Sequence, residues 1–424
     1  MGKLKGSTLI LISMGCALVF GLVVNIMANC YGFKQEYLVL EKFVIAPIGD
    51  VFLKLLLVAI IPVVFLAIAG GIMELGQDKD KLKRVSIKAA IYYFLTTLFA
   101  VIIGVGLAYL IRPGATTHST VHLALTHTIQ PVSMIDTLVG MFPKNIFASL
   151  SEGNMLQIMV FAIIFGIAIV IMGGKESDRI RELVHYFTSV MIEMIKIIMK
   201  FAPIGVFCLL VKAIATQGYS TIIGLALYII TILIGLALQF VLVYAPILIF
   251  TVKMNPFTFI KSIGEVAAVA FATSSSKATL PISMEVTEKK FGVTRNMVRF
   301  LIPLGASINM NGAAIMQGVG IIFISQIYNV DLSFPMLCTI IFTAIFTSAG
   351  AAGVPSGATI MLTSILLMAG IPAEGIALIM GVDRIVDMCR TVVNISGDIV
   401  CAVAVASSEG AITKTYEESK QLAV

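Results

Sequence analysis

Six long stretches of this 424-residue chain contain no Asp, Glu, Lys or Arg: Thr8–Ala28, Ala89–Ile111, Asn154–Gly174, Ala213–Val252, Phe300–Val330 and Leu332–Ala373. A run of about 18 or more such residues is long enough to cross the hydrocarbon core of a bilayer as a helix. Composition points the same way. Only 12% of the residues are charged and 59% are hydrophobic, whereas a soluble domain carries roughly 25% charged residues. Half the usual charge cannot coat a water-facing surface of this size, which excludes a soluble enzyme. The chain reads as an all-α polytopic membrane protein.

The remaining charges give an orientation. Lys3 and Lys5 precede the first run, and the strongly charged turn Asp78–Arg84 follows two spans. Gly174–Arg181 and Glu288–Arg295 are further basic connections, whereas those near 113–128, 214–222, 325–337 and 366–374 carry no Lys or Arg. The positive-inside bias then places both termini in the cytoplasm of a multi-pass plasma (inner) membrane protein. The first apolar run is long for a signal-peptide core and lacks a clear cleavage site, so it is expected to be the first membrane helix. The net charge of +6 is scattered rather than clustered with aromatics, which excludes nucleic acid as a partner. Cys16, Cys30, Cys208, Cys338, Cys389 and Cys401 show no metal-ligand spacing and read as small buried hydrophobes. His118, His122 and His127 sit in a Thr-rich stretch, and their spacing reads as incidental. No nucleophile–base arrangement, phosphate-binding loop or zinc motif is present, so the chain is not expected to be an enzyme or an ATP-driven pump.

The C-terminal half resists a simple helix count. Within Leu332–Ala373, the segment Ser348–Gly357 (Ser-Ala-Gly-Ala-Ala-Gly-Val-Pro-Ser-Gly) favours a turn, and Ala272–Pro281 has the same small, polar, proline-ended character. Non-helical backbone at membrane depth survives only where protein or a water-filled cavity satisfies it. Ordinary surface loops would have the same composition. Each tip is followed by a polar-interrupted segment, Asn309-Met-Asn-Gly312 and Asn394-Ile-Ser-Gly397. Paired interruptions in related halves are the usual pointer to a transporter binding site.

The last helix, about 374–408, carries Asp383, Asp387, Arg390, Thr391, Asn394 and Asp398. At helical periodicity these residues fall on one stripe about 100° wide. Each Asp or Arg at a helix centre costs about 2.5–3.5 kcal/mol on insertion scales, so four cost on the order of 10 kcal/mol if lipid-facing. The stripe must therefore face protein or a cavity. A structural ion-pair network would leave the same pattern. Three acids against Arg390, or against Arg390 and Arg384, leave negative charge for a bound cation, and a fixed guanidinium offers a planar fork to a carboxylate. Such a stripe suits a zwitterion with an extra carboxylate, together with a small cation. The segment Pro303–Gly312 permits a helix break that turns carbonyl oxygens, the ligands of a hard cation such as Na⁺, toward the same site.

These segments together resemble the glutamate transporter family, the dicarboxylate/amino acid:cation symporters. The resemblance is carried by Ser274–Pro281, Asn309–Gly312, Ala352–Pro355 and Asp387–Asn394 with Asp398, in that order across the C-terminal part of the chain. It implies eight membrane helices plus two re-entrant hairpins with inverted repeats, in an elevator-type homotrimer. Residues 1–82 and 113–220 would form the trimerisation scaffold. Residues 83–112 and 221–424 would form the moving transport domain, with hairpins at about 254–288 and 332–370.

On this resemblance Arg390 takes the substrate's side-chain carboxylate and Asp387 its amino group. Ser275, Ser276, Asn394 and the backbone around Val354 hold the α-carboxylate, and Thr391 assists. The implied substrates are aspartate and glutamate, with sodium as the coupling ion and no organic cofactor. One sodium site maps onto Gly305, Asn309, Asn394 and Asp398, and a second onto backbone oxygens around Ser307, Met310, Ser348, Ala349 and Ala351. The third combines Tyr93, Thr96, Thr97 and Asn309 with an acid that is Asn311 in this chain, while the family's following Thr is Ala313. Losing one negative charge from a low-dielectric site removes most of what attracts a cation. The third site is therefore expected to be weak or missing, giving coupling to fewer than three sodium ions or to none. A proton-coupled or uncoupled carrier is the alternative within the class; a substrate-gated channel or receptor-like membrane protein is the alternative outside it. Two departures from the family tip, Lys277 and the placement of Arg384 in the last helix, raise the expectations that Lys277 pairs with Asp383 and that Arg384 approaches the first tip.

Overall fold

The computed structural model describes residues 6–30, 33–75, 80–116, 139–140, 142–152, 155–349 and 357–412. Helices make up nearly all of it, and the described residues contain no β-strand beyond a single bridge between Val293 and Ile412. In chain order the helices begin with α1 Gly6–Cys30, α2 Lys34–Leu40, α3 Ala46–Leu75 and α4 Asp80–Ile111. Then come α5 Ile146–Glu152, α6 Met155–Met172, α7 Gly174–Met199, α8 Ala202–Gln217 and α9 Tyr219–Gln239, the last extended through π-turns to Val252. The C-terminal half holds α10 Pro256–Thr273, α11 Ser276–Phe291, α12 Arg295–Ile308, α13 Asn311–Ile327, α14 Phe334–Ala349, α15 Gly357–Met368 and α16 Ile376–Ser408. Among the described residues four segments are long and apolar enough to cross a membrane: Arg84–Ile111, Tyr219–Val252, Arg295–Ile327 and Ala373–Ser408. A fifth candidate is the pair Gly174–Ile198 and Ala202–Ala215, which meet at 58°. The fold is that of a multi-pass helical membrane protein.

Several predicted connections turn out to be helix ends. Gly174–Arg181, read as a basic connection, is the first part of α7; the turn is made by Gly173 and Gly174 at φ 60° and 71°. Glu288–Phe291 likewise completes α11, and Gly292 at φ 67° closes it. Glu, Lys and Arg are good helix formers, so charged helix ends continue past the apolar run instead of unwinding. The first polar tip also shrinks. Only Ser274, at φ 51°, and the extended Ser275 interrupt the α10–α11 pair, and Pro281 lies inside α11. Ser275 caps α11 by accepting a hydrogen bond from the Ala278 amide at 3.3 Å. The second tip, with Ala351 and Val354, and His118, His122 and His127 lie outside the described residues. Cys208 and Cys401 are buried as expected, whereas Cys338 and Cys389 are only partly buried and Cys16 and Cys30 on α1 are exposed.

Two apolar cores organise the packing. One joins α1, α3, α8, most of α13 and the first turns of α16; the other joins the end of α9, α10–α12 and the last turns of α16. Helix α16 enters the first core through Ile376–Val386 and the second through Ile395–Ala406. Its polar stripe, Asp383 to Asp398, therefore straddles the junction between the two cores. Helix α13 is buried on every face from Asn311 to Ser325, as expected of a helix without a polar side.

Candidate functional site

The stripe on α16 is enclosed throughout. Asp383, Asp387 and Arg390 are each 2% exposed, and Thr391, Asn394 and Asp398 no more than 5%. Charges this deeply buried persist only when paired and hydrogen-bonded. Arg390 reaches Asp387 through Nε at 2.9 Å and Nη2 at 2.7 Å, an i,i+3 contact along the helix. Its Nη1 lies 3.3 Å from Oδ1 of Asp383 and 3.4 Å from Oγ1 of Thr359 on α15. The Thr359 hydroxyl in turn donates to Asp383 Oδ1. Asp383 Oδ2 is buried without a partner among the described residues. The expectation that Lys277 pairs with Asp383 is not met: Thr359 and Arg390 take that place. Lys277 lines a separate cavity of about 820 Å³ that also reaches Arg299, Ser307 and Ala349. Arg384 makes no ion pair among the described residues, and its buried Nε is likewise unpartnered.

The break between α12 and α13 falls at Asn309–Met310 and is held by α16 across the junction. Asn309 donates from Nδ2 to Asp398 Oδ1 at 2.9 Å. Asn394 accepts from the Gly312 amide at 2.7 Å and so satisfies one of the unpaired N–H groups at the start of α13. Both glycines here are demanded by close approach. A Cβ on Gly312 would sit 2.5 Å from the Arg390 carbonyl oxygen, and one on Gly305 would sit 2.7 Å from Asp398 Oδ1. The structure thus brings Gly305, Asn309, Asn394 and Asp398 together, and Met310 is buried beside them. Ser307 and Ser348 spend their hydroxyls on their own helices, on Pro303 O at 3.2 Å and Ile345 O at 2.9 Å. Any part they take in a cation site would be through backbone oxygens.

A third group gathers around Asn311, which is fully buried. Its Oδ1 accepts from Thr97 at 2.8 Å and from Thr96 at 3.5 Å. Its Nδ2 donates to the Tyr244 hydroxyl at 2.8 Å, and that hydroxyl donates to Val393 O at 3.1 Å. Tyr93 lies at the edge of this group and donates to Leu301 O at 3.1 Å. Thr391 back-bonds to Asp387 O at 2.7 Å, and Ser276 is buried at the first turn of α11. Sequence reasoning missed Thr359 and Tyr244. Both lie in largely apolar stretches, and only packing against α16 and α13 shows their role. Among the described residues no group of three or more His, Cys, Asp or Glu could hold a metal ion.

The buried site combines carboxylates, one guanidinium and the polar side chains at a broken helix. It can bind a carboxylate and small cations. The chain matches the sequence profile of the sodium:dicarboxylate symporter family over residues 7–408. It belongs to that family. This symporter is 32% identical over 429 residues to the proton/sodium-glutamate symport protein of Bacillus caldotenax, covering 96% of each chain. It is 30% identical over 403 residues to the proton/glutamate-aspartate symporter of Escherichia coli K12, covering 93% of this chain and 91% of that one. It is also 30% identical over 446 residues to human excitatory amino acid transporter 3, covering 92% of this chain and 83% of that protein. These relatives are named as transporters.

Proposed function

We propose that this symporter carries aspartate and glutamate across the plasma (inner) membrane as a secondary active, cation-coupled transporter working by an elevator mechanism. The observation that carries the reading is the fully enclosed Arg390, flanked by Asp387 in a family whose relatives are named for glutamate and aspartate. A guanidinium fork suits the substrate's side-chain carboxylate and a carboxylate suits its ammonium group. Asn394, Thr391, Ser275 and Ser276, with the backbone around Val354, complete the substrate site. Gly305, Asn309, Asn394 and Asp398 would hold one sodium ion, and backbone oxygens around Ser307, Met310, Ser348, Ala349 and Ala351 a second. The architecture we infer is eight membrane helices and two re-entrant hairpins per subunit, in a homotrimer with both termini cytoplasmic. Residues 1–82 and 113–220 form the scaffold, and 83–112 and 221–424 the moving domain. Hairpin α14–α15 gates the site.

Coupling to fewer than three sodium ions, or to none, follows from Asn311. An amide there already satisfies Thr97 and Tyr244 without any cation. A proton-coupled carrier is the second reading, and the relatives' names include both ions. Aspartate binding is best measured by calorimetry in Na⁺, K⁺ and choline across pH, alongside uptake into proteoliposomes. Arg390→Cys should abolish binding; unchanged binding would refute the substrate assignment. A steep sodium dependence, typical of three coupled ions, would refute the loss of the third site. Uptake against a gradient excludes a channel or receptor.

A further inference from the structure

Next to the Arg390 cluster, beyond Thr359, lies a cavity of about 360 Å³ whose walls come from four separate stretches of chain. Its floor is buried and mixed in character: Ile360, Ile376 and Met380, with the hydroxyls of Thr359 and Thr363. Its rim carries four charges: Asp50 and Lys54 from α3, Lys212 from α8, and Glu374 from the short turn before α16. Asp50 and Lys54 are four positions apart, as are Thr359 and Thr363, so each pair shares one face of its helix. Packing brings these faces together. Helix α3 lies against α15 and α8 against α16. Gly381 of α16 approaches Leu210 of α8 so closely that a Cβ would clash. The first turns of α3, the last turns of α8 and the start of α16 therefore gather their charges at one end of the bundle.

We propose that this cavity is an outer binding site for the acidic amino acid, which it holds weakly before passing it to Arg390. The inference rests on the reading of Arg390 given under Proposed function. The charge pattern selects the ligand. Lys54 and Lys212 match the two carboxylates of aspartate or glutamate, and Asp50 with Glu374 matches the single ammonium group. A dicarboxylate without an amino group leaves the rim carboxylates unmatched, and a neutral amino acid leaves one lysine unmatched. The volume falls within the ~300–1,000 Å³ range of small-molecule sites. Binding is weak because Asp50, Lys54 and Glu374 are exposed, and water screens contacts to exposed charges. The step to the inner site is short. Thr359 is the shared wall: its side chain lines the cavity, and its hydroxyl lies 3.4 Å from Arg390 Nη1. A shift of α15, which carries Thr359, joins the two sites.

Saturation binding of labelled aspartate to the purified full chain separates the two sites by affinity. The wild type is expected to bind about two aspartates per chain, the second with a dissociation constant in the millimolar range. Lys54→Gln combined with Lys212→Gln should remove the second phase and leave the affinity of the first within about twofold. In rapid mixing the same variant should fill the first phase about tenfold more slowly, because the lysines no longer concentrate the anion. Succinate should displace the second phase about tenfold less well than aspartate does. A wild type that saturates at a single aspartate per chain, or a variant that keeps the second phase, overturns the outer site and leaves the Arg390 reading standing. Loss of the second phase without slower filling overturns the transfer step. Equal displacement by succinate, aspartate and chloride shows unspecific attraction to the lysines and also overturns the site. If the double variant does not fold, Lys54→Gln alone, at an exposed position, should weaken the second phase by about tenfold; an unchanged second phase overturns the site. A wild type that binds no acidic amino acid in either phase instead removes the functional reading itself.

Discussion

At the scale of single residues, Asn311 is the position where one atom changes the ion chemistry. As an amide it accepts from Thr97 and donates to Tyr244; as a buried carboxylate it would lose that donor and need a cation or a proton. Asn311→Asp should steepen the dependence of aspartate affinity on Na⁺ by about one power of concentration, since each additional linked ion adds one to the slope. Titrating aspartate at stepped Na⁺ concentrations checks this, and an unchanged slope counts against the site. Gly312 is constrained by sterics instead. A methyl group there would press on the Arg390 carbonyl at 2.5 Å, so Gly312→Ala should cost about 1–3 kcal/mol as an overpacked contact. A lowered thermal midpoint together with weaker aspartate binding is the expected result.

At the scale of elements, α16 is anchored at its C-terminal end by Glu409, just beyond its last turn. Arg84 Nε lies 3.1 Å from both carboxylate oxygens and Lys88 Nζ lies 2.5 Å from Oε1, both at the start of α4. Hydrogen bonds from Arg84 and then Lys88 hold this carboxyl below the usual glutamate range. A carboxylate lowered in the folded state stabilises at pH values above its unfolded value and loses that contribution as pH falls through the folded one. Thermal stability should therefore decline as pH drops below about 4.3, and Glu409→Gln should flatten that decline. Arg84 is 64% exposed, so solvent screening limits the effect to about 1 kcal/mol or less. The elements also show how far the sequence could be read. The stripe on α16 and the break at Asn309–Met310 were legible, because helical periodicity and Asn-x-x-Gly composition are local signals. Thr359 and Tyr244 were not, because each is a lone hydroxyl in a largely apolar stretch and reveals a polar role only where another helix meets it.

At the scale of the molecule, the two apolar cores meet along α16 and leave the charged cluster between them. Native mass spectrometry in detergent should give a particle of three subunits; a monomer that still transports would count against the scaffold assignment.

By itself the sequence determined the membrane-spanning class, the helical content, the buried stripe and the family, because each rests on hydropathy, periodicity or local motif. It also placed the charge missing at Asn311. Tertiary structure alone decided who pairs with whom. Arg390 is held by Asp383 and Asp387 with Thr359, rather than Asp383 by Lys277, and Asn394 spends its side chain on the break in the neighbouring helix. Hydropathy sets which residues must leave water, whereas partners within the buried set are chosen by distances between helices far apart in the chain.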